Sequence, residues 1–382
     1  MSVWKTASWV VVWLVLVATD GPIAWSQTFW PSWREGVRVP SLGLDGLPGE
    51  PVAGGVVLAG HTACESGPES GACGDGPCGV GPVWQHRSGV FGDFLYLRPG
   101  NVDVIYAREQ TSFDPLLASP TGPVGRAAID GGAGFRVGAR WAWDDCTSIE
   151  ASYTWFRSDT SSSITANPGT VLDMTVAHPS VATSGANSLV ATADYDIGFQ
   201  IVDIDYRGLL VGDFDGGLDY TAGVRYVRLT QDFRASQEIF AGSGLTTVAT
   251  QIGFDGVGLH FGLDGIKRRP GSGWLLYAKG DASFLAGEFR ARYRQSNQFG
   301  GAGVIGNDLA DFRVVTILET ELGVGWESSD GRWRWTAGYV FVGWLNALTT
   351  GTYIDGVRNG TYTDLGETLT FDGLTTRIEW RF

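Results

Sequence analysis

Glu319 and Glu321 stand two residues apart in "LETELGVGWE". A β-strand would carry both carboxylates on one face, a spacing that a general acid and a general base can share. Arginines recur at the same alternation, at Arg332 and Arg334 just downstream and at Arg377 and Arg381 near the end, so the pair reads first as charges answered by cations across a shared interior. Other catalytic chemistry has little to work with. Of the four His, His260 falls in an alternating run and reads as a packing residue. His178 falls in a polar loop, and a hydrolase at the rim would depend on it alone. "GGAG" and "GSGLTT" lack the spacing of a phosphate loop. No enzyme, no cofactor and no metal centre is expected.

Cys64, Cys73 and Cys78 are separated by eight and four residues, and Cys146 lies far downstream. No common zinc pattern has this spacing, so one or two disulfides are expected, with the pairing open. Disulfides need an oxidising compartment, and the N-terminus supplies a route to one. Lys5 precedes the apolar run "ASWVVVWLVLVA", which ends in a "DGP" break and a small-x-small site at Ala24 to Ser26. An apolar core of about 12 residues is too short for a membrane helix of roughly 20, so residues 1–26 read as a signal peptide cleaved after Ser26. Residues 27–87, rich in Gly and Pro and without a sustained period, read as a flexible periplasmic linker.

Composition narrows the class. Aromatic residues make up 12% of the 382 residues with 16 Trp, Gly numbers 56 and Met only 2, a mixture that suits many strands joined by Gly-rich turns. The surplus of Trp also suits a membrane interface. A net charge of -14, from 27 basic and 41 acidic residues, excludes nucleic acid as a partner, because binding there needs a basic surface.

From Ser88 onward the period is two. "FRVGARWAW" sets Phe135, Val137, Ala139, Trp141 and Trp143 against Arg136, Gly138, Arg140 and Ala142, and "SIEASYTWF" continues the pattern after the turn "DDCT". The same grammar recurs in "LDYTAGVRY", "VGLHFGLD", "LETELGVGWE", "RWRWTAGYVF" and the closing "LTTRIEWRF". Weaker runs lie at 90–98, 195–207 and 274–290. In the second of these the apolar side chains change parity near Ile201 and Val202, which predicts a β-bulge. Ten strands result, or twelve if "VDVIYARE" and "EFRARYRQ" count separately. The expected connections at 99–132, 158–193, 236–253, 295–312 and 347–370 are long, and those at 144–147, 208–217, 265–273 and 328–331 are short. Strict alternation of this kind is what an outer-membrane barrel requires. The predicted fold is therefore all-β, a single antiparallel up-and-down transmembrane barrel over residues 88–382, with outer-membrane lipid around it.

With the apolar face outward, a ladder of charges faces the lumen: Arg136, Arg140, Glu150, Asp203, Asp205, Arg207, Asp219, Arg225, Asp264, Lys279, Asp281, Glu319, Glu321, Glu327, Arg332, Arg334, Arg377, Glu379 and Arg381. The two signs nearly balance. A lipid-facing Arg or Lys at mid-depth would cost about 2 to 4 kcal/mol, which fixes the inward assignment. Ten strands with paired charges leave a narrow bore. Inward glycines such as Gly138, Gly223, Gly258, Gly262, Gly323 and Gly338 give back some room, so a small water-filled path is expected.

The blocks "FGDFLYLRPGNVDVIYA", "GFRVGARWAWDDCTSIEASYTWF" and "GVRYVRL" resemble exported β-barrel proteins of planctomycete-type bacteria, which are grouped with the Legionella-type major outer membrane proteins, a pore-forming family. The resemblance covers about residues 88–382. It implies an outer-membrane location and passive transport of small solutes or ions, and it implies no catalytic residue. The final strand, with Trp380 and Phe382 on its lipid face, also resembles the signal by which barrel assembly machinery recognises its clients. A narrow pore is the first expectation for function. The rival is a sealed barrel acting through its outer loops.

Overall fold

A computed structural model of the chain describes residues 57–58, 82–112, 117–180, 189–238, 245–297 and 304–382. The signal peptide, its cleavage site and Cys64, Cys73 and Cys78 lie outside the described residues, as does the linker apart from 57–58 and 82–87. Everything below concerns the unit Leu58–Phe382.

Ten antiparallel strands close on themselves: β1 Gly89–Gly100, β2 Gly132–Asp144, β3 Thr147–Thr165, β4 Val190–Gly212, β5 Gly216–Glu238, β6 Leu245–Arg268, β7 Trp274–Asn297, β8 Ile305–Glu327, β9 Trp333–Ala347 and β10 Glu367–Arg381. Each pairs with the next, and β10 returns to β1 in the register Trp380↔Val90 and Leu374↔Tyr96. The backbone N–H of Phe382 completes the seam by donating to the Ser88 carbonyl at 2.9 Å. "VDVIYARE" lies outside this ring and "EFRARYRQ" is the upper part of β7. The count is ten.

The strands are longer than alternation alone predicts. β5 to β8 run 23 or 24 residues, absorbing most of the expected loops at 236–253 and 295–312. At about 3.3 Å per residue and a tilt near 45°, such strands rise roughly 55 Å, about twice the ~25 Å apolar band of an outer-membrane barrel. Their upper halves therefore stand in water, and the alternation inverts there. On β4 every odd position from Ala191 to Arg207 is buried. The upper ones are Ala191, Ala193, Tyr195, Ile197, Phe199 and Ile201; the lower ones are Asp203, Asp205 and Arg207. Outward, Val202, Ile204 and Tyr206 meet lipid below, while Asp194 and Gln200 meet water above.

This inversion accounts for the parity change near Ile201. The register of β4 against β3 and β5 runs unbroken through that point, so no bulge sits there; the register shift lies between Leu209 and Val211. Apolar residues change faces because the surroundings outside change from water to lipid.

The end with long loops is capped. Val104–Gln110 pairs with Pro120–Ala127 and with Val171–Asp173 in a three-stranded sheet, and a helix α1, Thr350–Asn359, follows β9. Thr349 caps α1 by accepting from the Thr352 N–H, and Gly360 ends it in the left-handed region at φ 65°. Val102, Val104, Tyr106, Leu172, Tyr353 and Ile354 from these connections join strand residues Phe156, Phe199, Phe254, Phe289, Trp344 and Phe371 in one apolar core. The described parts of the connections between β1 and β2, β3 and β4, and β9 and β10 thus pack into the core at this end, beyond the long connections that the alternation predicts.

Candidate functional site

The lower lumen is built by strand alternation. Inward positions near the short-turn end are filled by ionic side chains, held at a common height by register. In the upper tier Arg377 binds Asp93 through two bonds, Nε to Oδ1 at 2.7 Å and Nη2 to Oδ2 at 2.8 Å, across the β10–β1 seam. Arg225 binds Asp203 likewise at 2.6 and 3.0 Å. Arg136 donates to Glu319 at 3.0 Å and to the Thr154 hydroxyl at 3.0 Å, and Arg225 Nη1 lies 3.7 Å from the other Glu319 oxygen. His260 sits between two carboxylates, Nδ1 at 2.8 Å from Asp205 and Nε2 at 3.4 Å from Asp281.

The lower tier follows the same rule. Arg140 bridges Glu150 at 2.6 Å and Glu379 at 3.1 Å, and Arg207 reaches Glu150, Asp219 and Asp264 at 3.3, 3.3 and 2.7 Å. Glu327 accepts from Arg334 at 2.7 Å, lies 2.8 Å from Arg381 and is 3.9 Å from Arg268. Tyr277 donates to Glu321 at 2.7 Å, and Lys279 stands 4.0 Å away. Glu319 and Glu321 are thus each engaged by different cations, and the geometry supplies neither a free acid nor a free base. Among the described residues no cluster of His, Cys, Asp and Glu is arranged to hold a metal.

Some positions differ from expectation. Arg332 is exposed in the turn 328–332, its N–H bonded to the Asp330 carboxylate, because β9 begins one residue later. The inward glycines give back no bore. A Cβ on Gly138 would meet Phe91 at 2.3 Å, on Gly338 the Tyr277 hydroxyl at 2.4 Å, and on Gly258 the Phe284 carbonyl at 1.8 Å. They are small because neighbours already occupy the space. Cys146, in the turn after β2, is disulfide-bonded.

Sequence reasoning missed Asp93, Arg268 and His86. The seam register could have found the first, since pairing Phe382's strand with 90–98 sets Arg377 opposite Asp93. It also missed Gln231, a fully buried amide that accepts from Tyr195 at 3.0 Å and donates to the Leu348 carbonyl at 2.8 Å, pinning the start of α1 inside the barrel.

At both ends of the lumen described residues of the chain pack inward. Above the ionic tiers, Phe199 packs on Phe156, Phe371 and Trp344 with ring centroids 5.1, 4.9 and 5.9 Å away. Below them, residues 82–88 cross the mouth. The Val83 N–H donates to Phe214 O, Arg334 donates to Val83 O at 2.9 Å, Trp84 donates to Asp213 O at 2.7 Å and the His86 N–H donates to Asp145 O. Val83 and His86 are buried. The last residues of the expected linker are a floor.

At the rims, His178 places its ring Nδ1 2.7 Å from the Ser180 hydroxyl and its backbone N–H on Gln295. Phe382 is 67% exposed and packs on Trp380 at 5.1 Å, within a belt of outward aromatics with Trp333 and Trp335. In the cap, Glu109 accepts from the Thr170 hydroxyl and from both the backbone N–H and the side-chain amide of Asn167; the Thr170 bond first, then those from Asn167, hold its carboxyl below the ordinary value of 4.5.

A family profile described as Legionella pneumophila major outer membrane protein precursor matches residues 83–382. No curated protein matches. Solved structures similar in outline include the outer membrane protease OmpT from Escherichia coli, at 12% identity over 77% of this chain and 97% of that one, with a TM-score of 0.41. The Ralstonia pickettii toluene transporter TbuX is similar at 13% identity over 78% and 90%, with a TM-score of 0.30. The P. putida toluene transporter TodX stands at 6% over 76% and 90%, with a TM-score of 0.25.

Proposed function

Because the chain belongs to the Legionella major outer membrane protein family and is an outer-membrane β-barrel, we propose that it serves as a closed, non-enzymatic barrel that acts through its outer cap. The observation that carries this reading is the aromatic layer of Phe156, Phe199, Trp344 and Phe371, which fills the lumen above the ion pairs. Interiors packed in this way resist opening, since displacing several buried aromatics costs several kcal/mol each. The cap supplies the surface for contacts outside the cell. Export with cleavage after Ser26, and kinship with the planctomycete-type barrels through residues 91–107, 134–156 and 223–229, belong to the same proposal.

A narrow pore for small solutes or ions is the second reading, favoured by the charged lower lumen. It requires the aromatic layer to move. Planar-bilayer recording of purified, heat-modifiable protein separates the two: silence supports the closed barrel, and stable unit conductance supports the pore. A third element is the terminus. Trp380 and Phe382 stand exposed at the short-turn end, where the assembly machinery would engage them. Deleting Phe382 should leave the chain in the periplasm, and normal insertion would count against this role.

A further inference from the structure

Between the floor at residues 82–88 and the lower ionic tier lies a cavity of about 50 Å³, several times the roughly 10–15 Å³ that one water needs. Its lining carries six Lys and Arg side chains against three carboxylates, Asp219, Asp264 and Glu379. Glu150 and Glu327 pair with those cations from outside the lining. Three nitrogens on lining side chains make no hydrogen bond among the described residues: Arg207 Nε, Arg381 Nε and His86 Nε2, the last standing 3.4 Å from Asp219 Oδ2. One acceptor, Asp219 Oδ1, has no donor. All three donor side chains are more than nine-tenths buried. Burying such groups unpaired is costly, most of all for charged ones, so a site of this kind calls for an occupant that accepts several hydrogen bonds and donates one.

We propose that this cavity binds inorganic phosphate in its hydrogen phosphate form. The phosphoryl oxygens would accept from Arg207, Arg381 and His86, and the P–OH would donate to Asp219. Guanidinium groups suit this chemistry because they present fixed, charge-assisted donors to oxyanions. The requirement for a donor separates the ligand from sulfate, which carries no proton at neutral pH and would set a bare oxygen against the Asp219 carboxylate. Access is from the periplasmic side, past the floor, and does not depend on whether the aromatic layer above opens.

The test is titration of the purified full-length barrel in detergent with inorganic phosphate, followed by calorimetry, with sulfate in parallel. Saturable binding at one site per chain is expected, with sulfate weaker by about tenfold or more, as the loss of a charge-assisted hydrogen bond implies. Arg381→Gln and, independently, His86→Ala should each weaken phosphate by a similar factor. His86 precedes the barrel, so that variant remains decisive if Arg381→Gln fails to show heat-modifiable folding. Absence of saturable binding, equal affinity for sulfate, or affinity untouched by His86→Ala would overturn the assignment and leave the cavity to water.

Discussion

The upper and lower halves of this barrel solve the same packing problem with opposite chemistry. Below, the inside is ionic and the outside apolar; above, the inside is apolar and the outside polar. β6 shows both within one strand, with Val248, Ile252 and Phe254 buried above and Val257, Leu259, Phe261 and Leu263 exposed below. What decides the arrangement is the medium outside the wall. Lipid makes an apolar exterior free of cost and leaves the ionic residues no place but the lumen; water reverses the preference. The lower interior is therefore held by directional pairs and the upper by shape.

Substitutions in each half separate the two kinds of packing. Phe371→Ala, in the aromatic layer, should cost about 4 kcal/mol in urea unfolding of the barrel in lipid, because it opens a cavity among Phe156, Phe199 and Trp344. A loss below about 1 kcal/mol would mean that the upper core is loosely packed. Arg225→Ala should cost about 3 kcal/mol by leaving Asp203 buried and unpaired. Replacing both partners together, Arg225→Met with Asp203→Leu, should recover most of that loss; failure to recover would show that the ionic tier is more than pairwise.

The outside wall supplies a sharper contrast. Leu259→Arg, within the lipid belt of β6, should destabilise by about 2 to 4 kcal/mol, whereas Gln251→Arg on the same face eight residues earlier should change stability by less than about 0.5 kcal/mol. Equal effects would place the membrane boundary elsewhere.

The smallest effect concerns the cap. Since the folded value of Glu109 is depressed, its contribution is fully present above the ordinary 4.5 and is lost as pH falls through the lowered value. Hydrogen exchange in Val104–Gln110 should therefore quicken on acidification below about 4.5, and Glu109→Gln should remove that dependence. An unchanged pH profile in the variant would assign the effect to another group.

Much of the lower half was legible in sequence, because lipid enforces a clean alternation and any charge in the run marks the lumen. Glu319, Arg225 and Arg377 were placed by that rule, and the seam between the last strand and 90–98 followed from closure. The upper half was hidden by the same rule. Once the exterior turns polar, runs such as "LTTVATQIGF" read as loops, although Thr246, Val248, Thr250, Ile252 and Phe254 all point inward. The parity change on β4 imitated a bulge for this reason. Helix α1 gave little local signal: "TGTYIDGVRN" contains Gly, Thr, Ile and Val, weak helix formers, and it forms because Tyr353, Ile354 and Val357 bury in the lumen. The floor was missed because Val83 and His86 follow a Gly-rich stretch with no period of its own.

On the proposed reading, packed aromatics and not the ionic tiers close the bore. Liposome swelling with purified wild-type protein and with a Phe199→Ala/Trp344→Ala variant tests it most directly. No solute flux through the wild type and measurable flux of small solutes through the pruned barrel are expected; flux through both at the same rate would show that the aromatic layer does not seal the lumen.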